Sequence, residues 1–136
     1  MKTAKEVYRK ADQDARDYDY QPMLSEFGEI LLQVDDEDYQ GDSRLLYKAG
    51  EKIGYLNFGW GSCSGCDALM ACESIEDVQE LMDELFSEIK WFDSAGDALD
   101  WFYSHDWEGD YTYHREEQRT FILEAFKILE QLNKGE

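Results

Sequence analysis

The chain has 136 residues, a single-domain size, and carries thirty-two aspartates and glutamates against thirteen lysines and arginines, a net charge of −19. That charge excludes direct binding to nucleic acid or to an anionic membrane and makes a basic partner the natural one. No apolar run is long enough to span a bilayer, and the polar start Met1 to Glu6 lacks a signal-peptide core, so a cytoplasmic location is expected.

Residues 1–22 are expected to form an N-terminal helical arm, and residues 23–136 a single α+β domain. In the arm, Tyr8, Ala11, Ala15 and Tyr18 recur at helical spacing over Thr3 to about Tyr18. Pro22 is expected to close it, because the residue before a proline is pushed out of helical geometry. From Gly28 the pattern changes. Ile30, Leu31, Leu32 and Val34 form a short apolar run, and Asp35 to Asp42 supply loop chemistry. Leu45 and Tyr47 begin an alternation, Ala49 to Lys52 reads as a tight turn, and Ile53, Tyr55 and Asn57 alternate beyond it. These segments predict a small antiparallel meander of about three strands.

The second half reads as helix. Ser74 is an N-cap candidate with Asp77 three positions on, close to a capping box. Ile75, Val78, Met82, Leu85 and Ile89 then form an apolar stripe, and Glu76, Asp77, Glu80, Asp83, Glu84 and Glu88 lie away from it. Ser94 repeats the cap before a shorter helix carrying Ala98, Leu99, Trp101 and Phe102, which the Asp106–Asp110 segment breaks. Arg115 to about Leu132 forms the last helix, with Phe121, Ile122, Ala125, Ile128, Leu129 and Leu132 on its core side. The predicted fold is therefore α+β, with about three amphipathic helices packed on one face of the sheet.

All three cysteines fall within ten residues, Cys63, Cys66 and Cys72, directly after a strand-like run. An odd, closely spaced set predicts reduced thiols or thiolate ligands, not a secreted disulfide framework. The favoured reading packs them as small apolar residues beneath the helix that starts at Ser74. The alternative is a zinc or thiol-redox module: Cys63, Cys66 and Cys72 with His105 would make a four-ligand zinc site, or Cys63 would act as nucleophile with Cys66 resolving it. The lone CxxC lacks the second pair that makes such motifs specific, and a strongly acidic field opposes a low thiol pKa. Asp106, Glu108 and Asp110 imitate part of a calcium loop but lack its glycine and terminal glutamate.

Three strings, Tyr39 to Asp42, Gly54-Tyr-Leu-Asn-Phe-Gly-Trp-Gly-Ser-Cys-Ser-Gly-Cys-Asp-Ala-Leu69, and His105 to Asp110, resemble a group of small uncharacterised proteins of bacteriophages and prophages. The resemblance covers roughly residues 28–115 and implies a phage accessory product at work in the cytoplasm of a bacterial host.

No complete catalytic motif accompanies these features, so the expected function is non-enzymatic and without cofactor, zinc being the alternative. The residues from Glu73 to Asp110 hold thirteen acids against Lys90, hence −12 of the charge. Displayed on amphipathic helices, such a density predicts a nucleic-acid mimic that binds and inhibits a basic, nucleic-acid-binding host protein, for example as an anti-defence factor. The expected contact residues are Glu76, Asp77, Glu80, Asp83, Glu84 and Glu88, with Trp107 as an aromatic contact in its polar loop.

Overall fold

The computed structural model describes residues 1–8, 19–63, 65 and 67–135. The expected helical turns over residues 9–18 lie outside the described residues. What is described of the arm is a short helix α1 (Ala4–Val7). It opens on a capping box in which the Thr3 hydroxyl accepts from the Glu6 amide and the Glu6 side chain accepts from the Thr3 amide. Ala4 and Tyr8 are buried in the core. Pro22 starts a helix instead of ending one: it sits in the first turn of α2 (Gln21–Leu24), where its missing N–H would be unpaired in any case.

Four strands follow in a fully antiparallel sheet of order β1-β2-β3-β4: β1 (Glu29–Asp35), β2 (Gly41–Ala49), β3 (Lys52–Trp60) and β4 (Lys90–Phe92). Gly50 turns the β2–β3 hairpin at φ +64°, a left-handed conformation that a side chain disfavours. The register places Leu45 opposite Leu56 and Leu46 opposite Tyr55. The fourth strand is one more than the sequence predicts, because three residues are too few for an alternation to register. Gly54 makes room for it: a Cβ there would stand 2.8 Å from the Trp91 ring.

The three remaining helices are α3 (Ile75–Glu88), α4 (Ala95–Ser104) and α5 (Arg115–Gly135), the last two separated by a 3₁₀ turn at Trp107–Gly109. The Ser74 and Ser94 hydroxyls cap α3 and α4 by accepting the amides of Asp77 and Asp97. Asp77 reaches past the cap residue and accepts the Glu73 amide at 2.9 Å.

Helices cover both faces of the sheet, which corrects the expectation of one covered face. Leu45, Tyr47, Leu56 and Phe58 point toward Ala4, Met23, Leu24 and the α3 side chains Val78, Leu81, Met82 and Leu85. Their strand neighbours Leu46, Ile53 and Tyr55 point the other way, toward Ala98, Leu99, Phe102, Phe121, Ala125 and Leu129 of α4 and α5. The mark of this was the unbroken Leu45-Leu46-Tyr47 run, since a strand buried on both faces loses its polar alternation. Among the described residues no helix is long and apolar enough to cross a membrane.

Candidate functional site

The cysteine loop leaves β3 at Trp60 and is organised by a buried carboxylate. Asp67 accepts from the Gly61 amide at 2.9 Å, the Met70 amide at 3.0 Å and the Tyr20 hydroxyl at 3.1 Å. The Tyr20 oxygen in turn accepts the Leu69 amide, so the loop is laced to α2, and burial pushes the Tyr20 phenol far above its ordinary range. Cys63 is disulfide-bonded, contrary to the expectation of reduced thiols, and a sulfur so bonded is no thiolate ligand. Cys72 is a free, buried thiol whose Sγ donates weakly to the Ala68 carbonyl. Burial first, then the charges of Asp77, Asp67 and Glu80, raise its pKa above 9.0. That matches the apolar packing expected for it. Cys66 lies outside the described residues.

His105 belongs elsewhere. Its Nε2 pairs with Asp110 at 2.8 Å and its ring stacks on Trp101 with centroids 4.2 Å apart, among the side chains of the α4–α5 layer. Among the described residues, Cys63, Cys72 and His105 are not brought to a common ligand distance. Trp107 packs edge-on to Tyr55 and Trp101 and donates its indole N–H to the Phe102 carbonyl, so most of its ring serves the core. Its backbone carbonyl is held by Arg115 and Gln118.

The acidic residues expected on α3 are displayed as the spacing required. Glu76, Glu80, Asp83, Glu84 and Glu88 are exposed, and Asp77 is half-buried by its cap to Glu73. Glu76, Glu80, Glu84 and Glu88 recur every fourth residue and form one row along the helix. No lysine or arginine occurs in α3 to interrupt them. At 1.5 Å per residue the six acids span about 18 Å, or about one charge per 3.6 Å. A single DNA strand presents one per roughly 3.4 Å.

A second acidic site was not foreseen. It is a cleft of about 440 Å³ between the β1–β2 loop, the end of β3 and the segment leading into α5, lined by Asp36, Asp38, Asp42, Trp60, Tyr111, Tyr113 and His114 among others. Beneath it lies a buried ion pair. Arg44, only 1% exposed, places one guanidinium nitrogen 2.7 Å from Asp36 and the other 3.2 Å from the Thr112 hydroxyl, while its Nε has no partner among the described residues. The second Asp36 oxygen accepts the Asp42 amide at 2.8 Å. Gly41 is required here, since a Cβ would stand 2.6 Å from the Asp36 Cβ. Over this floor, Asp42 has its carboxyl raised chiefly by burial and also by Asp36, against the opposing effects of Arg44 and His114. His114 bridges the rim, with Asp38 and Glu117 each 3.6 Å from its ring nitrogens.

Ligand atoms of Asp36, His114 and Glu117 lie within 4.8 Å of one another, a spacing that suits a metal ion. The chemistry fits less well: both Asp36 oxygens are already committed, one to a guanidinium and one to a backbone amide.

Neither family models, nor curated proteins, nor solved structures match this chain.

The cleft escaped sequence reasoning because it joins three segments far apart in the chain. The available signal was aromatic. Tyr111 and Tyr113 sit in a polar segment outside any helix or strand, and they are 75% and 85% exposed.

Proposed function

We propose that the protein is a non-enzymatic binding protein that docks the acidic face of α3 onto the nucleic-acid-binding surface of a basic partner protein and blocks it. The observation that carries the reading is the acidic face of α3, whose six carboxylates together average about one charge per 3.6 Å of helix axis, close to one nucleic-acid strand. A rigid display supports it, because α3 is anchored by Val78, Leu81, Met82 and Leu85 and cannot rotate its acids away. The resemblance to phage proteins supports a partner in a bacterial host, with inhibition of a host nuclease, polymerase or defence protein as the proposed outcome. Of the alternatives, the disulfide at Cys63 favours a thiol–disulfide module over a zinc module, which needs that sulfur as a thiolate.

The test is capture from nuclease-treated bacterial lysate by wild type and by a variant with Glu76, Glu80, Glu84 and Glu88 all changed to Gln. The expected partner is retained by wild type at low salt, released by added duplex DNA, and lost from the variant. A partner that duplex DNA does not displace, or that the variant keeps with the same salt dependence, refutes the mimic.

A further inference from the structure

The cleft beside Arg44 has the makings of a receptor for a cation. Its buried charge is already balanced, since Asp36 and Arg44 neutralise each other at 2.7 Å. The charges above them are not. Asp38 and Glu117 share His114 at 3.6 Å each, and among the described residues Asp42 pairs only with Arg44, 3.9 Å away and committed to Asp36. Aromatic side chains stand around these acids. Trp60 is held by its indole N–H to the Ser43 hydroxyl at 2.9 Å, and that hydroxyl donates to Asp35 at 2.6 Å. Tyr111 and Tyr113 meet edge to face with centroids 5.2 Å apart.

Exposed tyrosines are costly to leave in water and are typical anchors of protein interfaces. Here two of them, Tyr111 and Tyr113, line one acidic cleft. A volume near 440 Å³ takes one long side chain and part of its backbone.

We infer that this cleft receives an arginine side chain of the partner polypeptide, with Asp42 and Asp38 pairing the guanidinium and Trp60, Tyr111 and Tyr113 flanking its plane. Arginine suits the site better than lysine, because a planar guanidinium stacks on rings while its forked N–H groups pair with carboxylates. The raised Asp42 carboxyl is consistent with this, since a half-buried and under-compensated acid gains from an added cation. The inference rests on the reading of the partner as a basic protein, but it uses a different surface from α3.

The experiment is an NMR titration of the full chain at low salt with the peptide Gly-Gly-Arg-Gly-Gly, blocked at both ends, and with its Lys and Gln counterparts. Asp42→Asn, Tyr113→Ala and the fourfold α3 variant are titrated alongside. The Arg peptide is expected to shift amides at 41–42, 59–60 and 111–114 and to bind at least tenfold more tightly than the Lys peptide. Asp42→Asn and Tyr113→Ala weaken it at least fivefold, while the α3 variant stays within twofold. Tyr113 is 85% exposed, so its variant tests the cleft without disturbing the core. Equal, diffuse shifts with Arg and Lys peptides, or unchanged binding by both cleft variants, overturn the inference. Loss of the peptide in the α3 variant alone overturns it too, yet leaves the α3 reading standing.

Discussion

Asp36→Ala is the sharpest probe of how the acidic cleft is supported. The Asp36 side chain is 0% exposed and that of Arg44 1%, so solvent screens neither charge. Removing the carboxylate strands a buried guanidinium whose next carboxylate, on Asp42, is 3.9 Å away and half-exposed. Breaking a buried pair from one side costs roughly 3–5 kcal/mol, and the orphaned Asp42 amide adds about 1 kcal/mol. Against a total stability of about 5–15 kcal/mol, the variant should keep a reduced but measurable cooperative transition. In urea, with a slope of about 2 kcal/mol per molar, the midpoint should fall by about 2–3 M. The decisive comparison is the double variant Asp36→Leu, Arg44→Met, which removes both charges and fills their volume. It should recover most of the loss, because an ion pair replaced by apolar side chains is often neutral or stabilising. A single variant that loses less than about 1 kcal/mol, or a double variant no more stable than the single, would refute this account of the pair.

Two further outcomes follow from geometry already described. Cys72 has its pKa raised by burial and by three neighbouring acids, so its protonated form is favoured by the fold. The stability it contributes is fully present below 9.0 and is lost as pH rises through the folded value. Iodoacetamide should therefore label Cys72 more slowly in the folded protein than in urea, with the onset of reactivity displaced to higher pH; equal rates at each pH would contradict its burial. Gly41→Ala should cost about 1–3 kcal/mol in the same urea assay, since its Cβ would stand 2.6 Å from that of Asp36, and a neutral substitution would show that the loop yields freely.

Local chemistry was the most legible part of the sequence. Ser74 and Ser94 cap their helices, the apolar stripe from Val78 to Leu85 is buried, and the acids between them face water, because each signal acts within one helical turn. Tertiary features were less visible. Lys90-Trp91-Phe92 becomes a strand only because β3 offers it an edge, and Pro22 opens a helix because the chain turns there to deliver Met23 and Leu24 to the core. The second covered face of the sheet was written in Leu46, whose apolar character breaks the alternation of its neighbours. The cleft was the least accessible, since Asp42, Trp60 and Tyr113 acquire meaning only once the β1–β2 loop meets the start of α5.

The α3 glutamate row has a cost within the fold. Acids four residues apart repel, and the last turn, which holds no basic residue, sets Glu88 against the negative end of the helix dipole. Dissolved salt thus acts on this protein in two opposed senses. It screens the repulsion and tightens the helix, while weakening any contact with a basic surface, so the conditions that best preserve the isolated molecule are those in which it grips least.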